Sequence, residues 1–169
     1  EPELRYFSKT NNLETIGRAK ILTASAEALI VGFDKFATSN FLKENNFPYP
    51  KTNLITEENN PDFPVILKSR TGSGSTHVYK VNNIEDFNYI KAKHQDFIVQ
   101  EFLEDNQGEY TCGVFRSKKG DVRTLTFKRE LTGGYSGYGE IIDNAGINEF
   151  LNKLAIKINL VGSINVQLR

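Results

Sequence analysis

The sequence predicts an α+β fold, and three observations carry that prediction. Short apolar runs such as Val65-Ile66-Leu67 have the length of buried strands rather than of helices. Two amphipathic stretches each follow a residue able to cap a helix, Asp34 and Asn83. Two long strand-like runs flank Lys118-Lys119-Gly120-Asp121, which reads as a hairpin turn. No internal repeat or low-complexity linker divides the chain.

Each element follows from its residues in order. Asp34 starts a helix with Phe36, Ala37, Phe41 and Leu42 on its apolar side, which frays at Asn45-Asn46 ahead of Pro48 and Pro50. A strand over 64–68 ends on Lys68, and a glycine-serine loop leads to a second strand at 77–81. Asn83 caps a short helix with Ile84, Phe87 and Ile90 on one face, followed by a strand at 97–102. The hairpin strands span about 109–117 and 122–130. Residues 133–139 supply a loop with too much glycine to be rigid. The last helix, about 144–160, carries Ile147, Phe150, Leu151, Leu154, Ala155 and Ile158 at helical spacing. In the closing strand Ile164, Val166 and Leu168 alternate with Asn165, Gln167 and Arg169, so three polar side chains share one face.

Composition narrows the function classes. Lysine plus arginine equals aspartate plus glutamate at 21 each, so no basic field recruits nucleic acid. No apolar run is long enough to cross a bilayer. Cys112 is the one cysteine, and in a strand it reads as a small buried hydrophobe. With no leader pattern at the front, these features point to a cytoplasmic setting. The chain has no methionine and stops inside a strand, so it reads as a piece of a longer protein.

The segment 64–75 has the chemistry of a polyphosphate holder. Lys68 closes an apolar strand, which fixes its ammonium on rigid backbone. Gly72 and Gly74 let successive N–H groups converge on anionic oxygens, and Ser73 and Ser75 add hydroxyls. It is not a Walker A loop, because the lysine precedes the glycines, and His77 stands where a dinucleotide fingerprint needs a third glycine. Taken alone, the same residues also make an ordinary turn between two strands.

Five ordered segments together resemble the ATP-grasp enzymes: Asp34-Lys35, the lysine-glycine loop at 68–75, Val99-Gln100-Glu101-Phe102-Leu103, Gly108-Glu109-Tyr110-Thr111, and Gly162-Ser163-Ile164-Asn165-Val166-Gln167. Within that superfamily the chain looks most like the carbamoyl-phosphate synthase large chain, including Pro2-Glu3-Leu4 and the stretch from Phe33-Asp34-Lys35 to Pro50-Lys51-Thr52. The resemblance implies two α+β lobes gripping a nucleotide. Residues 1–33 would be the end of a preceding domain or a linker and 34–169 the grasp domain, with a small lobe at about 50–100 and a larger, incomplete lobe at about 101–169.

It also implies roles for single residues. Lys68 and Lys35 would contact the ATP phosphates from separate lobes. Glu101 would accept from the adenine amino group, the backbone at Phe102 and Leu103 would read the ring edge, and Glu109 would hold the ribose hydroxyls. Arg129 would lie near the transferred phosphate and the acyl substrate. From the residues alone, Lys35 is a helix lysine facing water, Glu101 and Glu109 are strand-end acids, and Arg129 is a hairpin charge. Gln167 matches a magnesium ligand, with manganese possible in its place and the remaining metal ligands expected beyond Arg169. One neutral amide does not hold magnesium, so this piece by itself is expected to lack turnover.

The implied reaction is ATP-dependent activation of a small carboxylate to an acyl phosphate, followed by attack of an amine or ammonia. Three other readings stand beside it: a nucleotide-binding module without catalysis, a different ATP-grasp ligase such as one that joins amino acids or carboxylates a nucleotide precursor, and an interaction domain whose glycine loops are only turns.

Overall fold

A computed structural model describes residues 15–16, 18–21, 23–72, 77–104, 108–133 and 135–169. The chain forms two compact units, 33–104 and 105–169 with 1–32. The first described elements are a two-stranded antiparallel ladder, β1 (Thr15–Ile16) and β2 (Ala19–Lys20), and a helix α1 (Ala26–Phe33).

In the unit 33–104, helix α2 (Lys35–Glu44) starts where expected because the Asp34 carboxylate accepts from the N–H groups of Phe36 at 2.9 Å and Ala37 at 3.4 Å. It stops at Asn45-Asn46, where Asn46 turns to φ +57°. Strands β3 (Thr52–Leu54), β4 (Val65–Ser69), β5 (Val78–Val81) and β6 (Phe97–Glu101) make one antiparallel sheet in the order β3-β6-β4-β5. Helix α3 (Ile84–Lys93) is capped by Asn83, which accepts from Asp86 N–H at 2.9 Å. Phe87 of α3 joins Ile55, Val65, Leu67, Val81, Phe97 and Val99 in a buried core, with Phe63 and Ile90 against it. Alternation sends Ile66, Lys68, Lys80 and Gln100 to the other face.

In the unit 105–169, β7 (Glu109–Arg116) and β8 (Val122–Thr132) form the expected hairpin, turning at Gly120 with φ +97°. With β9 (Tyr135–Ile142) and β10 (Gly162–Leu168) they build an antiparallel sheet in the order β10-β7-β8-β9. Helix α4 (Ala145–Lys157) is capped by Asn144, which accepts from Ile147 N–H at 3.0 Å. The helix lies on the face that carries Cys112, Val114, Thr124 and Thr126, where Thr124 donates to Asn148 at 3.0 Å. Leu151, Leu154 and Ala155 of α4 are buried.

One expectation is corrected. Residues 133–139 are not a loose loop: from Tyr135 onward they are strand β9, paired to β8 through a register shift at Glu130/Leu131. Thr132 pairs with Tyr135, and Gly133 between them has φ +60°, the conformation a tight hairpin turn requires. Gly137 also sits in a crowded place, because an added Cβ would lie 2.3 Å from Thr132 Oγ1. At Gly137 the missing side chain serves close strand packing rather than freedom of movement. Among the described residues no helix is long and apolar enough to cross a membrane.

Candidate functional site

Lys68 is held at the end of β4 by a directional relay. Its Nζ donates to Gln100 Oε1 at 2.7 Å, Gln100 Nε2 donates to Thr52 Oγ1 at 2.9 Å, and Thr52 donates to Pro50 O at 2.7 Å. The relay exists because Ile66, between β5 and β6, faces Gln100, and Gln100 faces Thr52 across the next pair of strands. Ser39 of α2 donates to the same Pro50 carbonyl at 3.4 Å, which ties the helix to the end of the relay. A flexible lysine head is thereby aimed from a fixed strand.

Lys35 approaches the same loop from α2. Its Nζ donates to Gly72 O at 3.0 Å, and its backbone N–H donates to Arg70 O at 2.9 Å. The helix start is clamped to the end of β4 by a two-pronged contact from the Arg70 guanidinium to Asp34: Nε reaches Oδ1 at 3.2 Å, and a terminal nitrogen closes on Oδ2. Burial pushes the Asp34 pKa up, but the Arg70 hydrogen bond, the Phe36 N–H, the Arg70 charge and the Ala37 N–H together hold it below the usual carboxylate value. Lys35 and Lys68, expected from separate lobes, both belong to the unit 33–104, because these bonds dock α2 onto β4. Of the loop residues, Gly72 turns with φ +100°, while Ser73, Gly74 and Ser75 lie outside the described residues.

The expected adenine segment leaves β6. Glu101 Oε1 accepts from Lys51 N–H at 2.7 Å, and Glu101 N–H donates to Lys51 O at 2.9 Å, so its carboxylate is locked beside the residue that leads into β3. Phe102 and Leu103 follow it, both half-buried. The Phe102 ring lies under Lys80 Nζ, 3.7 Å from the ring centroid.

Glu109, Arg129 and Gln167 lie in the unit 105–169, on the sheet face away from α4. Glu109 pairs with Arg129 across β7 and β8, and Arg169 follows Leu168, the partner of Tyr110, so the three charges form a row over adjacent strands. Arg169 contacts Glu109 Oε1, and Arg129 Nε stands 3.8 Å from Glu109 Oε2. Arg129 also donates to Ser136 Oγ at 3.3 Å. Gln167 is exposed one pair along, opposite Thr111, whose hydroxyl donates to Asn165 at 2.9 Å. Among the described residues no group of three histidine, cysteine, aspartate or glutamate side chains could hold a metal ion. The acid nearest Gln167 in the ladder, Glu109, is taken by guanidiniums. These residues do not fit a magnesium site, and no step is derived through one.

Sequence reasoning missed Arg70, Gln100, Thr52 and Arg169 as positioning groups. Alternation already placed Arg169 on the polar face of its strand. Gln100 and Thr52 depend on which strands pair, and Arg70 on the docking of α2 against the end of β4, neither of which a local signal announces.

A family model described as the ATP-grasp domain matches residues 33–166, a span that includes both lysines, Glu109 and Arg129 and stops short of Gln167 and Arg169. The chain belongs to the ATP-grasp family. An uncharacterized protein of Mycoplasma genitalium is 30% identical over 114 residues, covering 66% of this chain and 38% of that protein. The coenzyme gamma-F420-2:alpha-L-glutamate ligase of Methanococcus maripaludis is 27% identical over 135 residues, covering 73% of this chain and 44% of that protein. The ATP-grasp chain thus spans less than half the length of these relatives. The N5-carboxyaminoimidazole synthetase of Staphylococcus aureus, solved with ADP, shares the fold at a TM-score of 0.73 and 16% identity, over 85% of this chain and 42% of that one. The α+β class is therefore that of the ATP-grasp fold. The narrower resemblance to the carbamoyl-phosphate synthase large chain draws no support from these relatives.

Proposed function

We propose that this ATP-grasp chain supplies the nucleotide-binding part of an ATP-dependent carboxylate–amine ligase, with an amino acid such as L-glutamate as a substrate. The observation that carries the reading is that two lysines are fixed at the two sides of the β4 end, one on the strand and one on α2. Lys68 on β4 is aimed by Gln100, and Lys35 on α2 is bonded to Gly72 O just past the end of β4. Two fixed ammoniums beside the strand that leads into a glycine-serine sequence suit a polyphosphate. Glu101, its Oε1 engaged by Lys51 N–H, has a second oxygen to accept from an exocyclic amine. The glutamate-ligase relative supports the choice of amino acid over carbamoyl chemistry.

In the whole protein's reaction, a carboxylate oxygen attacks the γ-phosphorus, the bond to the β-phosphate oxygen breaks, and ADP leaves. The amine nitrogen then attacks the acyl carbon, the C–O bond to phosphate breaks, and an amide forms as the amine loses a proton. No side-chain nucleophile takes part; the protein positions the reactants and offsets charge.

Thermal unfolding with ATP and with ADP tests the nucleotide arm. Ligand at a hundred times its dissociation constant adds about 2.7 kcal/mol to the folded state. The expected result is a raised midpoint with either adenine nucleotide and a smaller rise with GTP. An unchanged midpoint at millimolar ATP and ADP would sink the reading.

A further inference from the structure

We propose that His77 and His94 form a two-imidazole site for a divalent transition ion of the Zn²⁺, Ni²⁺ and Cu²⁺ class, which ties the start of β5 to the end of α3. The site goes beyond the ligase reading, because it uses neither the nucleotide nor the two lysines.

The fold brings the pair together from different elements. The sequence has two histidines, one just before β5 and one at the C-terminal end of α3. Their ring centroids stand 6.1 Å apart with a 45° tilt between the planes. A metal–nitrogen bond of about 2.0–2.1 Å puts an ion about 3.2 Å from each ring centroid, so one ion spans centroids up to about 6.4 Å apart and reaches a tetrahedral angle at about 5.2 Å. The His77 side chain is exposed, and an inward swing of about 1 Å takes the pair through that range.

The two halves of the site are built differently. His94 is the fixed half: its ring stacks on Phe97 with centroids 4.3 Å apart and planes 18° apart, and Phe97 is buried. The Tyr79 ring lies 6.2 Å from both. A ligand held on such a platform loses little freedom on binding. His77 is the half without a local explanation, since its φ of +58° puts a residue with a side chain in the left-handed region. Neither imidazole makes a hydrogen bond among the described residues, so the ring nitrogens are open to a ligand. Backbone strain with no hydrogen bond in return points to one. Imidazole nitrogen suits Zn²⁺, Ni²⁺ and Cu²⁺, whereas Mg²⁺ keeps to oxygen. Two protein ligands leave the other positions to water, so the ion exchanges and acts as a removable tie between a strand and a helix.

Titration calorimetry with ZnCl₂ and, separately, MgCl₂ tests the site without any nucleotide. His77→Asn keeps a residue that accepts positive φ, and His94→Phe keeps a ring to stack on Phe97, so each removes nitrogens with little change to the fold. The expected result is one Zn²⁺ per chain, a loss of about tenfold or more in each variant as the second imidazole no longer adds to the first, and no uptake of Mg²⁺. In the wild type, the NMR signals of both imidazoles should shift together over the same zinc additions, a readout that stands even where a variant folds poorly. Zinc affinity that survives in either variant overturns the proposal, because a single imidazole or another group then holds the ion. A zinc shift confined to one ring, or no zinc binding by the wild type, overturns it equally.

Discussion

Two sheets in this molecule each set a cation near the end of a strand, and they hold it by opposite means. Lys68 on β4 donates to an amide oxygen, and the relay runs on through a hydroxyl to a backbone carbonyl. Arg129 on β8 lies beside a carboxylate that a second arginine shares. A dipolar acceptor orients a cation and leaves its formal charge intact. A carboxylate neutralises the cation it orients. The first arrangement suits the phosphate contact proposed for Lys68, whereas the second ties together side chains on and beside three neighbouring strands.

The comparison is easiest to break at Lys68. Replacing it with alanine removes the head of the relay, and most of the ADP-induced stabilisation should go with it, up to about 2.7 kcal/mol at a hundred times the wild-type dissociation constant. Thermal unfolding with ADP reads this directly, and a retained shift would mean that the phosphates bind elsewhere.

Asp34 comes next, since its carboxylate is held both by Arg70 and by the first turn of α2. Asp34→Ala should cost about 1–2 kcal/mol through the lost cap. The ion pair adds little to that, because the Arg70 side chain is 38% exposed. The folded-state pKa of Asp34 is lowered, so its stabilisation is complete above the ordinary aspartate value of about 3.9 and is lost as pH falls through the lower, folded value. Urea unfolding between pH 6 and pH 2 should therefore show a smaller acid loss for Asp34→Asn than for wild type. Parallel curves would refute the assignment.

The mildest change is Gln100→Leu, which cuts the relay between Lys68 and Thr52 without touching the lysine. ADP affinity should fall about fivefold, near 1 kcal/mol, the scale of one hydrogen bond. Unchanged affinity in a calorimetric titration would mean that strand geometry alone aims Lys68.

Much of the architecture was legible because its causes are local. Asp34, Asn83 and Asn144 cap helices through bonds to residues two or three positions away, and the turn at Gly120 depends on four neighbours. The relay was not legible, since Gln100 and Thr52 are 48 positions apart and meet only through the pairing of β3 with β6. Strand β9 was misread because glycine at 137 and 139 weighs against a strand, whereas pairing to β8 and side chains from Thr132 and Phe127 occupy the space those glycines leave. The candidate site was found in part by chemistry and in part by resemblance. Lys68 stands out as a lysine closing an apolar run, while the place of Arg169 beside Glu109 required the register of β10 on β7.

Cys112 lies in the middle of β7, between Val166 of β10 and Thr126 of β8, with no exposed surface. Burial pushes its thiol pKa up, despite the Thr126 hydroxyl at 3.6 Å, so the reactive thiolate is suppressed while the sheet is closed. Because the sequence has one cysteine, alkylation of the chain keeps time for a single event, the parting of this sheet from its helix. A thiol reagent thus turns a buried, inert side chain into a clock that reports on the unit 105–169 while 33–104 stays silent, so the local opening energy of one half of the molecule can be measured with no introduced probe residue.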